Sequence, residues 1–480
     1  MSCALHWFRR DLRVADNPGL AAVLANGPAV AVYIHAPEEE GDWAPGAASR
    51  WWLHHSLSAL RSRLAACGIP LVIRGGPTLE ALRAVARDCG ARAVHWNRLY
   101  EPALIRRDAE IKRRLREDGL QVESHCAHLL HEPWTVTTQA GGAYRAFTPF
   151  WRACRQGLDP DPPRPAPPAR GEGESLSGGG SLSVEDLQLL PTIRWDAGLQ
   201  ASWTPGEEGA TQALDRFLEE GLAHYADGRD RPASPLTSRL SPHLHFGEIG
   251  PRQVWQAVGQ RMAEGRPGLE QGGEAFLREL GWREFAHHVL YHNPALPDEP
   301  LDPRFASFPW AGQDHRAWRR GKTGIPLVDA GMRELWHTGW MHNRVRMVVG
   351  SLLVKNLRRP WQSGERWFWD TLVDADLANN SLGWQWVAGS GADAAPFFRI
   401  FNPVRQGERF DPEGEYVRRW VPELQGLPDA HIHAPWQAPE SVRRQAGIAL
   451  GQDYPAPVVD LRESRQEALS AFRTITGGND

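Results

Sequence analysis

The chain has 480 residues, of which 23% are charged and 41% hydrophobic, and its net charge is −4. That length suits two or three globular domains, each able to bury a substantial core. The acidic balance gives no sign of wholesale attraction to nucleic acid, although a local basic patch needs only local charge. No apolar run reaches the roughly eighteen residues of a bilayer span, so no membrane partner is expected. The N-terminal MSCALHWFRRDLR has its charges behind a very short apolar piece and is no signal peptide, which makes the cytoplasm the expected location.

Cys3, Cys67, Cys89, Cys126 and Cys154 are odd in number and show no C-x-x-C spacing. They read as reduced thiols, neither a disulfide framework nor a metal site, and no metal is expected. Nothing beyond Cys154 can hold a cysteine-ligated iron–sulfur cluster. The 22 tryptophans are the compositional outlier, and an aromatic-rich helical core accounts for most of them.

The first 130 or so residues alternate strand and helix patterns. ALHWF, AVAVYIH, PLVIR, ARAVHW and LQVESH read as strands. Between them PGLAAVLA, RWWLHHSLSALRSRLAAC, TLEALRAVARDC and ALIRRDAEIKRRLRED have helical spacing. Such alternation implies right-handed crossovers and a doubly wound parallel sheet. The dinucleotide fingerprint G-x-G-x-x-G is absent, so an ordinary NAD-binding role gains little support. Residues 158–183, rich in Pro, Gly and Ser, read as a flexible connector. From about Thr204 onward the pattern is helical. The expected architecture is an α/β domain over 1–131, a linker over 132–203 and a larger all-helical domain over 204–480.

Four stretches of the helical part carry chemistry. Thr237-Ser238-Arg239-Leu240-Ser241 gathers hydroxyls and amides, and Gly250-Pro251 then starts a helix. Such a loop either caps helices or binds phosphate. GKT at 321–323 is no P-loop, because position 316 is Arg where a glycine is required. Phe276, Glu279, Trp282 and Arg283 fall at i, i+3, i+6 and i+7 of a helical pattern and line one face. A carboxylate beside a tryptophan there is most often a structural ion pair. In Asp374-Ala-Asp-Leu-Ala-Asn-Asn-Ser-Leu-Gly-Trp-Gln-Trp386, carboxylates and amides precede two tryptophans. Buried carboxylates are costly unless paired, and Arg344 and Arg346 of Trp340-Met-His-Asn-Arg-Val-Arg-Met347 are candidate partners. Asn343, Arg346, Met347 and Gly350 share a helical face.

Together these stretches, with WFRRDLR, FTPFW and DAAPFFRIFNPVRQGERF, resemble the DNA photolyase/cryptochrome family, most closely its bacterial class I cyclobutane pyrimidine dimer photolyases. The resemblance implies an α/β antenna domain and a helical FAD-binding domain. By resemblance Tyr225 and Thr237–Ser241 hold FAD, with Tyr225 against the cofactor and the loop on its pyrophosphate. Phe276, Arg283 and Ala375 also belong to that cofactor site. Arg346 pairs with Asp374 near the reactive edge of the isoalloxazine, Asp376 contacts its pyrimidine ring, and Asn380 faces its N5 nitrogen. A reduced flavin anion (FADH−) needs a nearby positive charge and directional hydrogen bonds.

On the substrate side the resemblance implies that Glu279 bonds a flipped pyrimidine pair, while Trp282, Met347 and Trp386 pack against it and Asn343 and Arg344 reach it. Arg229 and Arg344 are expected to hold DNA phosphates. Trp384, Trp361 and Trp310 match the family's electron relay, although any three of 22 tryptophans taken by composition alone would be core. Tyr100-Glu101 resembles the contact of a 5,10-methenyltetrahydrofolate antenna, and a glutamate at a helix start is otherwise an unremarkable surface group. Asp298 stands where folate-binding relatives can carry a basic residue.

The implied activity is light-driven repair of ultraviolet-damaged DNA by a carbon–carbon lyase, a deoxyribodipyrimidine photo-lyase acting as a monomer. The excited reduced flavin gives an electron to a cyclobutane dimer flipped from the stack, the ring opens, and the electron returns. Asn343-Arg344 and Met347 stand where a (6-4) photolyase places histidines. The rival of another class is a cryptochrome photoreceptor. Asn380 and an end soon after the matched core favour repair. A light-independent flavin electron carrier would leave Glu279, Trp282 and Met347 without a purpose.

Overall fold

The computed structural model describes residues 3–25, 27–158, 160–169, 180–312, 314–393 and 398–477. Residues 159 and 170–179 of the expected connector, and 394–397 of the DAAPFFRIF stretch, lie outside the described residues. Backbone contacts gather the chain into two units, Met1–Ala223 with Ser238–Pro294 and Val373–Asp376, and His224–Thr237 with Ala295–Leu372 and Leu377–Asp480.

The first unit is built on a parallel sheet of five strands, β1 (Ala4–Phe8), β2 (Ala29–His35), β3 (Leu71–Gly75), β4 (Ala93–Asn97) and β5 (Gln121–His125), in the order β3-β2-β1-β4-β5. Helices α1 (Pro18–Ala25), α2 (Ala47–Ala66), α3 (Thr78–Asp88) and α4 (Pro102–Glu117) make the crossovers. The expected doubly wound sheet is therefore present. Every residue of β1 is buried, as befits a central parallel strand covered on both faces. Alternation sends Leu5, Trp7, Val32, Val94 and Trp96 toward Leu82 and Val85 of α3 and Ile111 and Leu115 of α4. The other face gives Phe8, Ala31, Tyr33 and Ile73 to Trp51, Trp52, Leu57 and Leu60 of α2. A Cβ on Gly19 of α1 would stand 2.6 Å from His6 Cε1, so glycine there lets α1 lie close on the sheet.

Further helices of this unit are α5 (Phe147–Arg155), α6 (Pro251–Met262) and α7 (Leu269–His292). Helix α5 falls within the stretch expected as linker, and its Phe147, Phe150, Trp151 and Cys154 are buried at helical spacing. Trp7, Trp51, Trp52 and Trp96 are fully buried, as are Trp318 and Trp361 of the second unit. The sheet domain thus uses tryptophan as core as heavily as the helical part, contrary to the expectation of a helical sink.

The second unit is helical, with α8 (Pro326–Thr338), α9 (Asn343–Ser351), α10 (Trp361–Thr371), α11 (Leu377–Ala388), α12 (Pro403–Phe410) and α13 (Leu461–Thr476) among its elements. Proline at the first turn and side-chain caps mark several starts: Asn402 accepts from Val404 N and Arg405 N at α12, and Asp460 from Arg462 N and Glu463 N at α13. The GKT segment is structural. Buried Asp329 takes the Thr323 amide and hydroxyl at 2.6 and 2.7 Å, the Gly324 amide at 3.0 Å and the Tyr454 hydroxyl at 2.6 Å. No helix among the described residues is long and apolar enough to cross a membrane.

Candidate functional site

In the first unit, Asp374 and Asp376 are both buried. Asp374 accepts from the Ser241 hydroxyl at 2.7 Å. Asp376 has His245 Nδ1 and His287 Nε2 each at 3.5 Å. Burial opposes its charge, but the two imidazoles win and hold its carboxyl well below the usual range. Against its own burial, Asp376 raises the His287 imidazole above its ordinary value, so the pair is ionic. In the loop 237–241, Arg239 has a φ of 53°, and its guanidinium lies 4.1 Å from the centre of the Trp203 ring. The Ser238 hydroxyl accepts from the Leu240 amide at 3.3 Å and still has its own proton to give. Thr237 is half-buried and belongs to the other unit by contacts.

The expected face of α7 is helical as read. Trp282 is half-buried, stacks on Phe147 at 3.9 Å and 7° and meets Phe285 at 5.8 Å and 76°. Phe276 is buried at 4.5 Å from Phe217. Glu279 is half-buried. Arg283 spends both terminal nitrogens on His128, at 2.7 Å to its carbonyl and 2.8 Å to Nε2. His128, His287 and Asp376 have ligand-type atoms within 4.8 Å of one another. The Arg283 cation already occupies His128 Nε2, which makes this an ion network and not a metal centre. Sequence reasoning passed over His128, His245 and His287. The clusters HLH at 243–245 and HH at 287–288 were the available signal.

Glu101 is only 5% exposed, which removes the alternative of an unremarkable surface carboxylate. Arg10, from the segment after β1, donates to it and to Glu40 at 2.8 Å. Glu101 also accepts the Tyr100 amide at 3.1 Å. A carboxylate at a helix start is therefore drawn inward by an arginine that only the fold brings near.

In the second unit, His342 caps α9 by accepting the Arg344 amide at 3.2 Å, which requires a neutral ring. Burial first, then the charges of Arg344, Arg346 and Arg229, push it down to about 4, against the opposing pull of Asp230. Arg344 pairs with Asp230 at 2.6 Å, and its guanidinium lies 4.5 Å from the centre of the Phe410 ring. Arg229 lies over Tyr225 at 5.5 Å, and Arg346 donates to the Met341 carbonyl at 2.7 Å. Asn343 is exposed and Met347 half-buried on the same helix. Arg229, Arg344 and Arg346 thus act on one helix start, with Asp230 offsetting part of their charge.

Helix α11 presents Asn380 and Trp384 one turn apart to consecutive residues of α10. Asn380 donates to the Glu365 carbonyl at 3.0 Å. The Trp384 indole rests where a Cβ on Gly364 would meet it at 2.2 Å, and one on Gly350 of α9 at 3.6 Å. Gly364 thus makes room for the ring, against which Phe368 packs at 5.0 Å and Trp318 at 6.2 Å. The Glu365 carboxyl accepts from the Ser381 hydroxyl at 2.5 Å, and burial raises it well above the usual range. Trp361 is fully buried at the start of α10. Trp310 is half-buried, 4.5 Å from Phe308, and Trp386 is half-buried, 6.3 Å from Phe401. Gln385, unremarked in the sequence, clamps the segment before it by donating to the Leu296 and Glu299 carbonyls at 2.7 and 2.8 Å.

A family profile described as DNA photolyase matches residues 4–169, and one described as FAD binding domain of DNA photolyase matches 276–474. A deoxyribodipyrimidine photo-lyase of Agrobacterium fabrum is 47% identical over 98% of this chain and 97% of its own length. Cryptochrome-1 of Arabidopsis thaliana is 44% identical over 98% of this chain and 70% of its length. The crystal structure of a bacterial class III photolyase from Agrobacterium tumefaciens superposes with a TM-score of 0.94 at 45% identity, covering 99% of this chain and 98% of that one. With the two-part fold, the buried Asp374–Asp376 pair and the Asn380 clamp, these likenesses place the chain in the DNA photolyase/cryptochrome family.

Proposed function

We propose that this protein is a cytoplasmic, monomeric deoxyribodipyrimidine photo-lyase that splits cyclobutane pyrimidine dimers in ultraviolet-damaged DNA. Asn380 and Trp384 carry this proposal: on one helix face, an amide held for a flavin lies one turn from an oxidisable ring. The residues fit FAD. Asn380 gives one N–H to Glu365 and keeps its carbonyl and second N–H for the cofactor, while the Ser238 proton suits a phosphate oxygen. Tyr225, Thr237–Ser241, Phe276, Arg346, Asp374, Ala375 and Asp376 would complete the holding set. Arg283, whose terminal nitrogens are engaged by His128, would act from behind it. Reduced FAD, once excited by light, supplies the electron that opens the dimer.

The chain's own residues do the rest. Glu279 orients the dimer and offers it a hydrogen bond. Trp282, with Met347 and Trp386, packs against the flipped bases. Asn343 reaches the substrate, and Arg229 and Arg344 neutralise phosphates, which makes binding salt-dependent. Trp384, Trp361 and Trp310 carry charge between cofactor and surface, and Glu101 contacts a methenyltetrahydrofolate antenna. One similar structure is a class III photolyase, so the class I likeness is not carried further.

The test is illumination of fully reduced, FAD-loaded protein with ultraviolet-damaged oligothymidine, read as recovery of thymine absorbance against a dark control. Absence of light-dependent recovery would overturn the proposal. It would promote a cryptochrome-type photoreceptor, the second reading, which the Arabidopsis likeness supports.

A further inference from the structure

Strands β4 and β5 bring three metal-ligating side chains together, none of which the flavin chemistry uses. Side chains alternate between faces along a strand, and the register sets His95 beside Glu123 and Asn97 beside His125. Val94, Trp96 and Val122 enter the apolar core on one face, so His95, Glu123 and His125 share the other. His95 Nδ1 and His125 Nε2 stand 3.1 Å apart, with their rings 13° from parallel. The Glu123 carboxylate completes a set whose ligand atoms all lie within 4.8 Å of one another.

The chemistry of the set favours a cation of a particular kind. Burial pushes His95 below its ordinary value, with His6 adding to the effect and Glu123 opposing it. Burial, His95 and His6 push His125 down to about 4. One of the two facing nitrogens carries the proton of their hydrogen bond, and a metal ion would displace that proton to take both lone pairs. Two nitrogens bound tetrahedrally to zinc at about 2.0–2.1 Å stand roughly 3.3 Å apart, close to the spacing already present. Neighbouring groups are committed elsewhere: His6 to Asp11 at 3.1 Å, and both Lys112 and Arg98 to the Ser124 hydroxyl at 3.0 Å. Two imidazoles and one carboxylate suit zinc-type ions better than magnesium or calcium, which prefer all-oxygen sets.

We propose that His95, Glu123 and His125 bind a divalent transition-metal ion of zinc type, with water in the fourth position beside the exposed Glu123. The ion joins edge strand β5 to β4, a proposal that departs from the expectation of no metal. The site is independent of the photolyase proposal, so either can fail alone. The test uses the full chain, stripped by chelator and dialysed, then titrated with Co2+ followed by visible ligand-field absorption, and with Zn2+ followed by calorimetry.

One site per chain is expected, with tetrahedral Co2+ bands that Zn2+ abolishes and a thermal midpoint that rises with Zn2+. Glu123→Gln, at an exposed position that cannot unfold the protein, should weaken Zn2+ binding at least tenfold. His125→Asn should abolish both the bands and the rise in midpoint. Absence of bands in the wild-type protein would overturn the proposal, as would bands that persist unchanged in His125→Asn. In the first case the two rings share only a proton, and in the second the metal sits elsewhere.

Discussion

The Asn380 side chain donates to the Glu365 backbone carbonyl at 3.0 Å, which fixes the amide's orientation. Asn380→Asp replaces that donor by an oxygen facing an oxygen. The substitution should cost roughly 1–3 kcal/mol of stability, because a buried acceptor loses its partner. It should also change which flavin species accumulates under blue light, since the cofactor's neighbour becomes an acid. Identical photoreduction spectra in the two proteins would count against the assigned contact.

Trp361→Phe and Trp310→Phe remove an oxidisable ring while keeping most of the volume. Trp361 is fully buried and Trp310 half-buried, so the first should destabilise by roughly 1–3 kcal/mol and the second by less. Both should slow photoreduction sharply yet leave chemically pre-reduced enzyme able to repair. Loss of repair in the pre-reduced variants would show that these rings do more than relay. Gly364→Ala should act on the same relay from outside, because its methyl would collide with the Trp384 indole.

Glu279→Gln should slow ring splitting more than it weakens DNA binding, as expected when a hydrogen bond strengthens in the transition state. Trp282→Ala should weaken binding to damaged DNA by roughly 1–3 kcal/mol through lost base stacking. Because Trp282 also stacks on Phe147 at 3.9 Å, the same variant should lower the thermal midpoint, whereas Trp282→Phe should restore the midpoint better than the affinity. Equal losses of affinity and midpoint in both variants would assign Trp282 to the core alone.

The His287–Asp376 pair predicts a pH dependence with a definite sign. His287 is raised above its ordinary value of 6.5, so its contribution is complete below that pH and is lost as pH rises through the folded value. Asp376 is held well below its ordinary value of 3.8, so its contribution is complete above that and is lost only in strong acid. The destabilisation caused by His287→Gln should therefore be largest between these limits and shrink in alkaline buffer. Thermal midpoints of both proteins across pH check it, and a penalty that grows with pH would refute the ion pair.

A folate antenna should add near-ultraviolet absorption beyond that of FAD, released on denaturation, after reconstitution with methenyltetrahydrofolate. Glu101→Ala should abolish it and also lower the thermal midpoint, since it removes one of the two carboxylates that Arg10 pairs with and leaves Glu40. Flavin absorption alone would leave Glu101 as the buried partner of Arg10.

The sequence by itself determined the elements and their kinds. ALHWF and AVAVYIH coincide with β1 and β2 residue for residue, because short apolar runs with aromatic or β-branched residues between helical periods declare strands locally. The face shared by Glu279, Trp282 and Arg283 was likewise legible, being a matter of 3.6-residue spacing. Only the tertiary structure decided what those faces meet. Nothing local brings His287 to Asp376, sets Gly364 against the Trp384 indole, or pairs Arg10 with Glu101. The two units interleave along the chain, which a boundary drawn from composition cannot express. Patterning records whether a side chain is to be buried. Its partner depends on chain segments far apart in sequence that meet only once the apolar surfaces have packed.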